Sequence, residues 1–324
     1  MSKTIRWGII GLGNIANKFA TDLLTIKNAE LYAVASRNQV KADAFAAQYK
    51  ATKAYDSYEA LAKDPNIDAV YIATPHALHK ENTLLCLEHG IAVLCEKPFA
   101  MNSDEVKSMI AKAKEKHVLL MEALWTYFIP SYQYVLQALA DKKFGNITKL
   151  EADFGFHRAF DDSKRLFNKS LGGGSLLDIG IYPIFAALST LGIPKDIEAK
   201  ATYFDNGADA SCDMIFKYEG NVEATLRSTL IEDTATEAIF HCETGQIKIN
   251  GPFHTPSSVT LTPNDGVPET IDFDCKTIGY NYEVIHFNAL LREGKTESDI
   301  MTFEFSKQLI NTLDAVRQGI NLYY

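Results

Sequence analysis

The 324 residues are enough for two domains, and 47% hydrophobic with 23% charged content is the composition of an ordinary soluble globular protein. A net charge of −9 argues against a nucleic-acid or anionic-membrane partner, since either needs a basic face. Met1-Ser-Lys-Thr4 leads straight into a strand pattern with no export signal or spanning run, and the five scattered cysteines lack a Cys-x-x-Cys, so reduced thiols in a cytoplasmic protein are expected.

Thr4–Ile10 reads as a strand, followed at once by Gly11-Leu-Gly13-Asn14-Ile15-Ala16 and an amphipathic helix through Phe19, Ala20, Leu23 and Leu24. This is the Gly-x-Gly-x-x-Gly/Ala dinucleotide pattern in its proper setting. Gly11 allows the tight turn, Gly13 admits the pyrophosphate, and Ala16 lets the helix sit on the strand; Asn14 and Ile15 open the helix whose free N–H groups meet the anion. The second strand, Glu30–Ala35, ends in Ser36-Arg37-Asn38, where an NAD-selective site usually carries a carboxylate. Ser36 can donate to a phosphate, and Arg37 can lie over adenine or pair with a 2′-phosphate, which favours NADP over NAD; a solvated loop arginine is the alternative.

Strand Ile67–Thr74 closes on Thr74-Pro75-His76-Ala-Leu-His79, which opens a helix. His76 and His79 are spaced for a metal pair, but no third ligand is near in sequence and a helix N-terminus disfavours a cation, so they are expected to line the cofactor with Thr74 and Pro75, and no metal is expected. The apolar run Ile91–Cys95 then ends in Glu96-Lys97-Pro98. A parallel strand covered on both faces releases such residues at its carboxyl end, where open α/β sheets hold ligands. Pro98 restricts Lys97, which is expected to work beside a nicotinamide with Glu96 next to it; a solvating Glu-Lys pair is the plainer alternative. Helix Ser103–Lys116 and strand Val118–Glu122 complete a doubly wound parallel sheet, assigned to a dinucleotide-binding domain over residues 1–123.

From residue 124 to 324 the pattern becomes that of an α+β substrate-binding and oligomerisation domain. Trp125–Pro130 is aromatic-rich, and long strands follow at Ile147–His157, Ile197–Phe204, Cys212–Lys217, Asn221–Leu230 and Glu237–Cys242. Their alternation predicts a large, open, mainly antiparallel sheet with one wetter face, suited to pairing with a second copy. Leu171-Gly-Gly-Gly-Ser-Leu-Leu-Asp178-Ile-Gly-Ile-Tyr182-Pro183 combines a close backbone approach with a helix start. Asp178 and Tyr182, four apart, share a helical face, and Pro183 should loosen the helix; a surface Asp–Tyr hydrogen bond is the alternative. Tyr280–Phe287 and Phe303–Arg317 read as amphipathic helices, the last a candidate to brace the first domain.

With Gly11-x-Gly13, Glu96-Lys97-Pro98 and Gly172–Tyr182 in this order, the chain resembles the Gfo/Idh/MocA oxidoreductases. Met121–Pro130 and Leu176–Tyr182 look most like the dimeric dihydrodiol dehydrogenase and NADP-dependent xylose dehydrogenase branch, although Tyr127 stands where that branch often has Arg. The resemblance implies a Rossmann domain, a C-terminal sheet often used for homodimerisation, and a small sugar, polyol or cyclic diol substrate. Hydride transfer needs a base for the hydroxyl proton and a cation for the developing alkoxide. An unperturbed tyrosine, with pKa near ~10, is a poor base at neutral pH, and a neighbouring ammonium would correct that. Tyr182 is therefore expected as proton acceptor, Lys97 as polariser, and Asp178 as hydroxyl positioner, with the roles of Lys97 and Tyr182 open to exchange. Trp125 and Phe154 would form an apolar wall, or be core aromatics. A glycoside-cleaving relative using NAD, or a non-enzymatic NADP sensor, are the alternative functions.

Overall fold

The computed structural model describes residues 3–324, and contacts divide the chain into two units, Met1–Trp125 with Lys276–Lys307, and Thr126–Cys275 with Gln308–Tyr324. In the first unit β1 (Ile5–Ile10), α1 (Asn14–Leu23), β2 (Ala29–Ala35), α2 (Gln39–Tyr49), β3 (Lys53–Tyr55), α3 (Tyr58–Ala62), β4 (Ala69–Ile72), α4 (His79–Glu88), β5 (Ala92–Glu96), α5 (Ser103–Lys116) and β6 (Leu120–Ala123) alternate. The strands form one parallel sheet in the order β3-β2-β1-β4-β5-β6. The order reverses between β1 and β4, the position at which doubly wound sheets open a crevice at the strand carboxyl ends. Trp7, Ile9, Ile10, Val70, Tyr71, Ile72, Val93 and Leu94 are wholly buried, as the continuous apolar runs predict for strands covered on both faces.

The second unit opens with α6 (Pro130–Ala140) and holds β7 (Ile147–Gly155), α7 (Ile181–Leu191), β8 (Asp196–Tyr203), β9 (Asp209–Lys217), β10 (Glu223–Thr229), β11 (Ala238–Cys242), β12 (Gly245–Ile249), β13 (Val259–Pro263) and β14 (Glu269–Ile271). Its sheet runs β14-β13-β12-β11-β7-β10-β9-β8, antiparallel except where β7 and β10 run parallel. Along β10, Ala224 and Leu226 are buried while Glu223 and Thr225 face water, the alternation expected of a sheet with one wetter face. The three strands after β11 are additional to the five expected; they are short, and two of them are threonine-rich with turn residues close by. The stretch Lys169–Leu191 is apolar and long enough to cross a membrane by those criteria alone, yet 89% of its apolar window is buried inside the protein, as in a core helix. All five cysteines are free thiols, four of them buried.

One boundary differs from expectation. Residues 276–307, expected in the second domain, belong to the first unit, and α8 (Tyr280–Arg292) packs there together with the first turn of α9 (Phe303–Gly319), which is divided between the units. The physical reason lies in α1. Asp22, 1% exposed, accepts backbone N–H groups from Ile278 (3.1 Å), Gly279 (2.8 Å), Tyr280 (2.8 Å) and Asn281 (3.4 Å), the donors a helix start leaves unsatisfied. Phe287 then meets Trp7 at 5.2 Å between ring centres, and Asn288 Oδ1 accepts the Trp7 indole N–H at 3.1 Å. Removing that acceptor strands several buried donors, so Asp22→Ala should lower the unfolding free energy by about 3 kcal/mol and Asp22→Asn by less, read from urea denaturation.

Candidate active site

In the first unit, Gly11 has φ +88°, and a Cβ there would lie 2.8 Å from the backbone of Ala73 and Thr74, so only glycine can turn so close to the end of β4. Gly13 caps α1, which has no side-chain cap and no acidic residue in its first turn, and a Cβ at Gly13 would meet nothing within 4 Å. Uncapped N–H groups facing open space fit an anion such as a pyrophosphate. Asn14 and Ile15 are the exposed first residues of that helix. At the end of β2, Ser36 is buried with its Oγ accepting the Asn38 N–H at 3.3 Å, while exposed Arg37 stands close enough to Tyr58 to offset part of the upward pull that burial exerts on that phenol. No carboxylate occupies the tip.

The loops after β4 and β5 are tied by side chains. Thr74 Oγ1 accepts from Asn82 at 3.3 Å, Pro75 is half-buried, and His76 is 5% exposed with its ring 5.6 Å from that of His79. His79 is fully buried, Nε2 lying 2.9 Å from Thr74 O and Nδ1 2.9 Å from Pro98 O, so each nitrogen faces a carbonyl. Glu96 accepts the Tyr71 hydroxyl through Oε1 and the Lys97 N–H through Oε2 at 3.1 Å. The Phe99 N–H goes to Glu122 Oε1 at 3.0 Å, and the Cys95 thiol contacts Phe99 O at 3.7 Å. The backbone carrying half-buried Lys97 is thus held from α4, β5 and β6.

Burial, then Glu96, keep Tyr71 far above the ordinary phenol range, so it remains a donor. Burial lifts Glu122 from 4.5 to about 7; Glu96 adds to the rise, while Ser306, the Phe99 N–H and Lys97 oppose it. Glu283, wholly buried on α8, is pushed well above the carboxylate range by burial and then by Glu96 and Asp22. Trp125 is 4% exposed and stacks on Tyr280 at 4.4 Å with a 7° interplanar angle.

In the second unit, Gly174 has φ +126° and a Cβ on it would fall 2.0 Å from Asp209 Oδ1. That close passage lets buried Asp209 accept the Ser175 hydroxyl at 2.7 Å and the Leu176 N–H at 2.6 Å, at the start of the segment leading into α7. Burial raises Asp209 above the ordinary range, opposed by these donors. Leu176–Gly180 forms a π turn, the Ile181 N–H reaching back to Leu176 O, just before Pro183, which has no N–H to give. Asp178 sits in that turn and accepts from Arg165 Nη2 at 2.7 Å. Tyr182, 4% exposed, lies in the first turn of α7, its ring 5.6 Å from Phe154 and 4.9 Å from His254 between centres, while His254 stacks on Phe154 at 4.2 Å.

Arg165 and His254 are absent from the sequence expectation. Arg165 lies in a stretch with no motif, and His254 follows the Gly251-Pro252 turn, so neither carries a periodic or spacing signal.

Comparison with known proteins follows the same outline. Residues 5–124 match the oxidoreductase family with an NAD-binding Rossmann fold, and residues 132–248 match the GFO/IDH/MocA C-terminal domain. The chain is 35% identical to trans-1,2-dihydrobenzene-1,2-diol dehydrogenase of Xenopus tropicalis, over 98% of this chain and 99% of that one. It is also 35% identical to scyllo-inositol 2-dehydrogenase (NADP(+)) IolU of Bacillus subtilis, over 99% and 98%. KijD10, a 3-ketoreductase from Actinomadura kijaniata solved with NADP and TDP-benzene, superposes with a TM-score of 0.89 at 27% identity, over 98% of each chain.

The carboxyl at Glu122 gives a pH test. Its folded-state pKa is raised, so its contribution is fully present below 4.5 and is lost as pH rises through about 7. Glu122→Gln keeps an acceptor for Phe99 and removes the titration. The variant should therefore gain stability relative to the parent as pH rises from about 4.5 to about 8, by at most about 3 kcal/mol, measured by denaturation at each pH.

Proposed function

The chain belongs to the Gfo/Idh/MocA oxidoreductase family, and from that premise we propose that it is an NADP-dependent dehydrogenase acting on a CH–OH group of a small sugar, polyol or cyclic diol. The observation that carries this reading is the Lys97 loop. It is pinned by Glu96, His79 and Glu122 at the same edge of a parallel sheet as the uncapped Gly11–Gly13 turn. An amine held at a strand end beside an anion-binding turn suits polarisation of a hydroxyl over a dinucleotide.

Gly11, Gly13, Asn14 and Ile15 would hold the pyrophosphate, Ser36 and Arg37 the 2′-phosphate, and Thr74, Pro75, His76, Glu96 and Lys97 the nicotinamide half. Bound NADP supplies the hydride acceptor. Tyr182 Oη takes the hydroxyl proton, Lys97 Nζ holds the oxygen as its negative charge grows, and Asp178, oriented by Arg165, accepts a hydrogen bond from a neighbouring hydroxyl. Trp125 and the Phe154–His254 pair offer flat apolar faces suited to the C–H side of a ring. The relatives are dehydrogenases and reductases, so net redox chemistry is expected in preference to redox-neutral glycoside cleavage or cofactor sensing. The free, mostly buried thiols suit a reducing cytoplasm. A homodimer through the polar face of the large sheet, where Asp213, Ile215 and Thr225 are exposed, is part of the same proposal.

Three measurements test these assignments. With a panel of polyols and diols read at the nicotinamide absorbance, Lys97→Met and Tyr182→Phe should each cut kcat by about 100-fold or more while NADP binding changes little; near-parental turnover in either would remove that residue from the chemistry. Arg37→Ala should weaken NADP about tenfold and leave NAD nearly unchanged, as expected for a lost charge-assisted contact to a 2′-phosphate. Sedimentation should give twice the chain mass.

A further inference from the structure

His79 has its two ring nitrogens aimed at two atoms of the same kind, the carbonyl oxygens of Thr74 and Pro98, each 2.9 Å away in a fully buried setting. A carbonyl oxygen only accepts, and a neutral imidazole has one N–H and one lone pair. In the neutral form, therefore, one contact would set a nitrogen lone pair against a carbonyl lone pair at hydrogen-bond distance. The imidazolium donates at both ends, and both bonds are then charge-assisted.

We propose that His79 is held as an imidazolium that straps the loop after β4 to the loop after β5, and is thereby a positioning residue for Lys97. The strap joins residues on either side of the site. Thr74 ends the segment against which the Gly11 turn packs, and Pro98 follows Lys97 directly. With Glu96 on the Lys97 N–H and Glu122 on the Phe99 N–H, a donor on the Pro98 carbonyl adds a third tie to this backbone and stops the peptide from turning.

The cation is opposed by burial and by the start of α4, whose N-terminal dipole disfavours positive charge. The titratable groups around the strap are His76 and Glu81 near the start of its own helix, Cys95, Glu96 and Lys97 on β5 and its loop, and Glu122 on β6. Of these, Glu96 accepts from two donors, an arrangement suited to a carboxylate beside a cation. A positive ring bonded to the residue after Lys97 also adds positive charge beside the groups that handle the proton, so the strap acts on charge as well as on shape.

The first test is nitrogen NMR on the full chain labelled at histidine, with no cofactor or substrate added. His79 is identified as the signal missing in His79→Gln or, should that variant not fold, by through-bond correlation to the assigned backbone. At neutral pH both ring nitrogens should carry protons. A lone-pair nitrogen on His79 overturns the proposal. The second test rests on the dehydrogenase reading above. In folded His79→Gln the basic-group limb of the pH profile of kcat/KM should move to higher pH, because a neighbouring cation is gone, whereas a merely structural role leaves that limb in place and overturns the proposal. The two failures are distinguishable. If the enzyme reading fails, no candidate substrate turns over while the ring remains doubly protonated; if the strap fails, the parent turns over normally with a singly protonated ring.

Discussion

The turn that follows β5 has no regular secondary structure, so its peptide groups have no ladder or helix to satisfy them. Buried polar backbone must find partners, and here the partners are side chains: Glu96 for Lys97, His79 for Pro98, Glu122 and Cys95 for Phe99. Each comes from an element whose own position is set by apolar burial in the parallel sheet or on its helices. The rigidity of the packed core is in this way transmitted to a loop that would otherwise sample many conformations, and an amine on that loop inherits a fixed starting point. Everything assigned to Lys97 depends on this transfer.

A second use of the same physics occurs in both units. The exposed helices α2, α3 and α5 are capped by the residue that precedes them, Asn38, Ser57 and Asn102. Two buried helix starts are capped instead from far along the chain, α8 by Asp22 and the segment before α7 by Asp209. A local cap satisfies donors but leaves the helix free to be placed anywhere. A remote carboxylate satisfies the same donors and also fixes where the helix begins. Gly174 is the sequence-level consequence, because only a residue without a side chain lets Asp209 reach its donors.

This distinction explains what can be read from the chain alone. The parallel sheet is legible because strands buried on both faces are written as unbroken apolar runs, and the mainly antiparallel sheet because its strands alternate. The glycine turn and the Glu96-Lys97-Pro98 end are legible because their chemistry is contiguous. The supports are not. Asp22 meets Gly279 across 257 positions, Phe99 meets Glu122 across 23, and Arg165 meets Asp178 across 13, each a single polar residue with no period and no neighbour to announce it. The placement of α8 escapes for the same cause. Its amphipathic pattern says that it packs, while the residue that decides where is an aspartate inside α1 that reads as an ordinary helix surface position.

The buried acids around β5 and β6 show how such a support can be tolerated. Glu96, Glu122 and Glu283 together with Asp22 would bring four negative charges into one low-dielectric region, and full ionisation there would cost far more than the fold can spare. The structure divides the burden by partner. Asp22 and Glu96 have several donors each, whereas Glu283 has its carboxyl pushed far up by burial and by those two neighbours, and Glu122 rests near neutrality. Glu283, whose two oxygens have no hydrogen-bond partner among the described residues, is thus the carboxyl that burial and its acidic neighbours hold well above the ordinary range.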